Sequence, residues 1–259
     1  MIDFHTHIIP NVDDGSKSME ETVELLKEAE KAGFETVILT SHYMENYYQI
    51  DVEERTKIVN SIQSMLQNNT MNINLVLGNE IYFSDKIVSF IENKKACTIN
   101  NTRYILFELP FNVVPENLYY VIYNMLERGY IPILAHPERY SFIQQNPNIL
   151  KDFIEKGVLI QSNYGSFIGQ YGKKAQIIIK KLLKNGMVHF LGTDVHRKNT
   201  IYPKIPAIVS SMEKYIGKEK LDTITKTNPK LVINNKKIEI EEFQEIKLSL
   251  IEKIIISKK

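Results

Sequence analysis

The sequence predicts an α/β fold in which parallel strands close into a TIM-like (β/α)7 barrel with a metal site at the C-terminal ends of the strands. Two observations predict it. Short apolar, largely β-branched runs alternate with helical patterns seven times, as in a parallel sheet covered by helices. A charged or imidazole residue follows almost every run, which is where barrel enzymes carry their chemistry. An open doubly wound sheet is the competing architecture.

The first run, Met1-Ile2 with Phe4, ends in Asp3-Phe4-His5-Thr6-His7 and leads to Asp13-Asp14-Gly15. Residues two apart on an extended segment face one side, so His5 and His7 can present both imidazoles to one point, as metal ligands do. Residues 18–32 have helical spacing, with Glu20 and Glu21 in the first turn and Gly33 at the end. The run 36–40 precedes Ser41-His42, a loop with Tyr43, Tyr47 and Tyr48, and a helix over 52–67. Those tyrosines could line a substrate entrance or pack on the barrel rim. The run 73–77 is closed by Gly78-Asn79-Glu80, and a helix over 85–91 precedes the run 104–107, which delivers Glu108. A helix over 115–128 precedes the run 131–135, which delivers His136-Pro137-Glu138-Arg139. Helices over 149–156 and 174–184 flank the run 158–161, and the run 188–191 ends at Asp194-Val195-His196. Beyond Pro203 the pattern reads as helix, a loop at Asn228-Pro229-Lys230, an apolar stretch 231–233, and a charged terminal helix packed outside the barrel.

No composition change or low-complexity linker divides the chain, so residues 1–259 read as one domain, with 235–259 a peripheral C-terminal helix. Apolar content of 43% and charged content of 24% describe an ordinary globular protein, and a net charge of +1 gives no global attraction for nucleic acid or an anionic membrane. The single cysteine, Cys97, excludes an intrachain disulfide framework and thiolate metal clusters, and it fits a reducing cytoplasm. The start lacks the basic and apolar regions of a signal peptide, and no apolar run approaches membrane-spanning length. A cytoplasmic protein without direct membrane insertion is expected; the oligomeric state is left open.

Five of six histidines, His5, His7, His42, His136 and His196, follow predicted strands together with Asp14, Glu80, Glu108 and Asp194. His189 falls inside a strand and reads as a packed residue. Imidazole and carboxylate ligands without thiolate suit manganese, iron, cobalt or zinc. Closely spaced cations lower the pKa of a shared water, so that hydroxide is available near neutral pH.

These motifs resemble the polymerase and histidinol phosphatase (PHP) superfamily, and within it the bacterial manganese-dependent tyrosine-protein phosphatases of capsular and exopolysaccharide loci. The resemblance covers residues 1 to about 235 and also rests on Thr40-Ser41-His42, Arg103-Tyr104-Ile105-Leu106-Phe107-Glu108 and Ala135-His136-Pro137-Glu138-Arg139. It implies a distorted barrel holding three manganese ions. His5, His7 and Asp194 would hold one; Glu80 would bridge it to a second, completed by Glu108 and His136; Asp14, His42 and His196 would hold the third. It also implies a substrate, the tyrosine-rich tail of a bacterial tyrosine autokinase that controls polysaccharide synthesis. Arg139 is the candidate phosphate clamp, because a guanidinium offers two parallel donors. Similar phosphatases often carry an arginine just before a proline after the Asp-x-His motif, where this chain has Ile201-Tyr202-Pro203; Arg197 is the candidate replacement.

Three other readings compete. The spacing from Cys97 to Arg103 is that of cysteine-dependent tyrosine phosphatases, although the intervening residues contain no glycine and Arg103 leads into a strand. Another PHP phosphomonoesterase would act on histidinol phosphate or a nucleotide. A catalytically weak metal-binding module would keep the ligands and lose turnover. The terminal residues 251–259 could contact a partner or form a solvated amphipathic helix end.

Overall fold

The computed structural model describes residues 1–68 and 71–257. Nine parallel segments form the sheet: β1 (Ile2–Thr6), β2 (Thr36–Leu39), β3 (His42–Tyr43), β4 (Asn74–Leu77), β5 (Glu80–Tyr82), β6 (Tyr104–Glu108), β7 (Ile131–Ala135), β8 (Leu159–Asn163) and β9 (Phe190–Gly192). β2 with β3, and β4 with β5, are single strands, each interrupted after four residues, so seven strands remain among the described residues, as the alternation predicts. Pairing runs β1-β2-β4 and β3-β5-β6-β7-β8-β9. Hydrogen bonds from Asp194 N to His5 O (2.8 Å) and from His7 N to Val195 O (3.0 Å) join the last strand to the first. That closure settles the architecture as a barrel, not an open sheet.

Helices α1 (Met19–Lys31), α2 (Val52–Asn68), α3 (Ile87–Glu92), α4 (Leu118–Glu127), α5 (Ser141–Gln145), α6 (Ile149–Glu155), α7 (Tyr164–Phe167), α8 (Gly172–Lys184) and α9 (Ile205–Ile216) follow the strands. Ser18 caps α1 by accepting a hydrogen bond from Glu21 N (3.1 Å), and the acidic first turn adds to the start signal. Buried faces such as Leu25, Leu26 and Ala29 of α1 and Ile178, Ile179 and Leu182 of α8 form the layer between sheet and helices. A second core fills the barrel, with Phe4, Ile38, Val76, Leu106, Ile133, Leu159 and Phe190 supplied one from each strand. Phe4 and Phe190 stack there with centroids 4.1 Å apart.

The region after α9 departs from expectation. α10 (Lys218–Asp222) continues through a π-helical turn at Thr223–Thr227 into α11 (Asn228–Ile233). Asn228-Pro229-Lys230 is therefore the start of a helix; Pro229 fits its first turn, where no amide donor is needed. Val232 and Ile238 join the inner core and close the barrel's lower end. The helix expected over 235–259 forms only at α12 (Leu250–Ser257), which is held to α8 by Lys181 and Glu252 (3.0 Å) and by buried Ile256. Ile251 and Ile254 are exposed, and Lys258 and Lys259 lie outside the described residues. No helix among the described residues is long and apolar enough to cross a membrane.

His189 sits just before β9, buried, with Nδ1 accepting the Ile160 amide hydrogen (3.0 Å). Burial lowers its pKa to about 4. The folded value lies below the ordinary value of about 6.5, so this stabilising contribution is complete above that value and is lost as pH falls toward 4. It amounts to about 3 kcal/mol of folding free energy. Urea unfolding at pH 7 and pH 4.5 is expected to show a smaller acid loss in His189→Gln than in the parent; equal losses would contradict this assignment.

Candidate metal centre at the barrel mouth

All nine expected ligands converge at the C-terminal ends of the strands, and the local backbone explains how. The β1–β2 register shifts between Asp3 and Thr6, so β1 holds an extra residue there. This bulge lets Phe4 enter the inner core while His5 still turns toward the mouth. Gly192 on β9 permits the approach: a Cβ there would fall 2.5 Å from His5 Cβ. His136 (φ 32°) and Asp194 (φ 54°) adopt left-handed conformations at their strand ends. Such backbone persists in non-glycine residues when surrounding contacts fix it, as often happens at functional sites.

Glu80 is the hub. Its Oε2 lies 3.1 Å from His5 Nε2, 3.3 Å from His7 Nε2 and 3.1 Å from His42 Nδ1, and its Oε1 lies 2.9 Å from His136 Nε2. Asp194 Oδ1 is 3.3 Å from His7 Nε2 and 3.7 Å from His5 Nε2. Asp14 Oδ1 is 3.3 Å from His196 Nε2 and 3.7 Å from His42 Nε2. Glu108 lies 3.3 Å from His42 Nδ1 and 3.9 Å from His136 Nε2. Two donors on one ion at metal–nitrogen distances near 2.1 Å sit about 3.0–3.4 Å apart, so this crowding is the spacing of ligands around cations. Three overlapping donor groups result: His7, Asp14, His42 and His196; His5, His7 and Glu80; His42, Glu80 and Glu108. His42 offers one ring nitrogen to each side, so the geometry links it to Glu108 as closely as to Asp14.

Outer partners set the tautomers. His7 Nδ1 meets Asp13 Oδ2 (2.8 Å), His5 Nδ1 meets Gln161 Oε1 (2.9 Å), and His196 Nδ1 meets the Asp194 carbonyl (2.9 Å), so each Nδ1–H donates and leaves Nε2 free for a metal. His136 Nδ1 is buried and has no hydrogen-bond partner among the described residues. Asp13 also accepts from the amides of Gly15 (2.8 Å) and His42 (2.9 Å), joining the first loop to the second strand. Burial opposes charge on His5 and His7, but the surrounding carboxylates outweigh it and raise both pKa values. Burial likewise opposes ionisation of Glu80, yet the histidines hold its carboxyl well below the usual range. Burial, Glu80 and Asp194 push Glu108 up. A buried set so rich in opposing charges fits divalent cations, which would displace the imidazole protons.

Arg55 was not legible as a functional residue. It reaches from α2, fully buried, and its Nη2 donates to the carbonyls of Ser41 (3.2 Å) and Gly78 (3.0 Å) at the breaks in the second and third strands. Asn79 Nδ2 also donates to Ser41 O (2.9 Å). These bonds brace the backbone immediately before His42 and Glu80.

Arg139 lies at the same mouth, with Nη1 donating to Asp194 Oδ2 (2.7 Å) beside Asn163 Nδ2 (2.8 Å to the same oxygen). Its guanidinium sits 4.7 Å from the Phe111 ring centroid and 4.3 Å from that of Tyr171. Arg197 Nη1 donates to the carbonyls of Gly15 and His196, which commits it to the backbone of the Asp14 loop. Tyr43 is buried, Tyr47 is exposed, and Tyr48 stacks on His42 (5.8 Å, 13°). Cys97 is buried with its thiol against Asn79 Oδ1 (3.3 Å), while Arg103 binds Asn235. Burial raises the thiol pKa, and no loop gathers Cys97 and Arg103 around a phosphate.

Fold and donor set together define a PHP-like barrel with a buried cluster of candidate cation sites. Residues 1–234 match the family of capsular polysaccharide synthesis proteins CpsB/CapC, and the chain belongs to that family. It is 33% identical to CapC of Staphylococcus aureus over 238 residues, covering 92% of this chain and 93% of that one. Its structure is similar to a chain from the crystal structures of YwqE of Bacillus subtilis and CpsB of Streptococcus pneumoniae, unique metal-dependent tyrosine phosphatases, with a TM-score of 0.89, 28% identity and coverage of 96% and 100%. The histidinol phosphate phosphatase of Lactococcus lactis shares the fold at a TM-score of 0.56 and 15% identity, covering 83% of this chain and 93% of its own.

Proposed function

We propose that this protein is a manganese-dependent protein-tyrosine phosphatase of capsule synthesis, acting on the phosphorylated tail of a bacterial tyrosine kinase. The observation that carries the metal chemistry is the crowding of four imidazoles around the carboxylate of Glu80 at 2.9–3.3 Å; family membership supports phosphotyrosine as the ester. In this reading His5, His7 and Asp194 would hold one ion, Glu80, Glu108 and His136 would hold a second, and Asp14, His42 and His196 would hold a third. The whole chain acts as one domain with 235–259 at its periphery, in the cytoplasm, where Cys97 stays a thiol.

Bound divalent ions supply the Lewis acidity that makes water nucleophilic near neutral pH and neutralises phosphate charge. The chain's own residues do the rest. Asp13 and Gln161 fix the tautomers of His7 and His5. Arg139 offers its remaining guanidinium donors to phosphate oxygens while Nη1 stays on Asp194. Arg197 secures the loop that presents Asp14. Burial of His5, His7 and Glu80 keeps bulk water from the reacting centre.

A phosphotyrosine peptide and histidinol phosphate assayed side by side with manganese-loaded protein test the substrate; turnover confined to histidinol phosphate would overturn the tyrosine reading. Arg55→Met is expected to weaken manganese binding at least tenfold in calorimetric titration of stripped protein, because partners behind the ligands set their aim. Unchanged affinity would remove Arg55 from the site.

A further inference from the structure

Phe111 stands three residues beyond Glu108, on the loop that follows β6, and its carbonyl accepts the Ser141 amide hydrogen (2.9 Å), which ties the loop to α5. Its ring lies 5.9 Å from that of His136 and 5.7 Å from that of Tyr140. It nevertheless remains 39% exposed. Phe111, Arg139 and Tyr171 line an open cleft of about 270 Å³. The guanidinium lies within 5 Å of both ring centroids and touches Asp194, so the cleft continues directly from the candidate metal centre.

We propose that Phe111, facing Tyr171 across this cleft, is the platform for the phenyl ring of phosphotyrosine and the residue that sets preference for aryl over alkyl phosphate esters. The inference rests on the phosphotyrosine reading and deepens it. A phosphate engaged by Arg139 brings the ring that carries it alongside Phe111, where an aromatic face gains apolar burial and offset stacking. The short chain of an alkyl phosphate leaves the cleft unfilled. Tyr48 stacks on His42 (5.8 Å, 13°) much as Phe111 stacks on His136 (5.9 Å, 17°), so what singles out Phe111 is the cleft it shares with Arg139 and Tyr171.

Calorimetric binding of phenylphosphonate and methylphosphonate to manganese-loaded protein tests this without turnover. The parent is expected to bind phenylphosphonate about tenfold more tightly. Phe111→Ala should erase that ratio while leaving methylphosphonate affinity within about twofold, and Phe111→Tyr should keep it; matching thermal melts and manganese contents confirm intact folds, with Phe111→Leu as the substitute if alanine disturbs them. An unchanged ratio in Phe111→Ala and Phe111→Leu, or a ratio lost on Tyr48→Ala instead, would overturn the inference. If the parent fails to hydrolyse phosphotyrosine peptide yet keeps a Phe111-dependent ratio, the phosphatase reading alone falls. If hydrolysis proceeds and the ratio does not depend on Phe111, this inference alone falls.

Discussion

Glu80→Gln is expected to lower kcat on a phosphotyrosine peptide by at least about a thousandfold, since it disturbs the charge that organises the whole cluster. The carboxylate is fully buried with His5, His7, His42 and His136 within 3.3 Å. An amide of the same shape keeps one acceptor and replaces the other with a donor aimed at imidazole nitrogens that must themselves accept a cation. Manganese content measured alongside should fall, because a neutral side chain at the centre of the cluster would no longer offset the charge of bound cations. Retention of both full occupancy and kcat within about threefold would show that Glu80 is not the shared ligand.

Arg139→Lys is expected to lower kcat/KM about a hundredfold, with a raised KM. Lysine keeps the charge but loses the planar fork that lets one nitrogen hold Asp194 at 2.7 Å while others remain for phosphate. It also loses the flat face set against Phe111 and Tyr171. Steady-state kinetics on one peptide reads both effects, and parameters within threefold of the parent would assign Arg139 to holding Asp194 in place and nothing more.

The placement of the candidate ligands is legible because chemistry at the end of a parallel strand leaves a simple trace: an apolar run followed within a few residues by His42, Glu80, Glu108 or His136. The mechanism that aims them was not. Alternation alone puts His5 on the face opposite Phe4, and only the bulge between Asp3 and Thr6 reconciles an inner-core phenylalanine with a mouth-facing histidine. Nor does a local pattern show that the second and third strands break before His42 and Glu80, or that Arg55 from a distant helix braces both breaks. Gln161 and Asn163 carry no local signal because their partners, His5 and Asp194, are remote in sequence. Pro229 read as a loop because the first turn of a helix tolerates proline as readily as a turn does. The aromatic setting of Arg139 stayed hidden for the same reason as Arg55: Phe111 and Tyr171 reach it from different loops.

Whether a metal cluster or a thiol hydrolyses phosphotyrosine here is decided by one assay. Phosphotyrosine peptide hydrolysis is measured with chelator-treated protein before and after manganese is restored, in the parent and in Cys97→Ser. No turnover is expected in the stripped protein, with recovery on adding manganese and the same recovery in Cys97→Ser, whose buried thiol donates to Asn79 Oδ1. Full activity in the stripped protein, or activity lost with Cys97 while manganese stays bound, would contradict the metal-cluster reading.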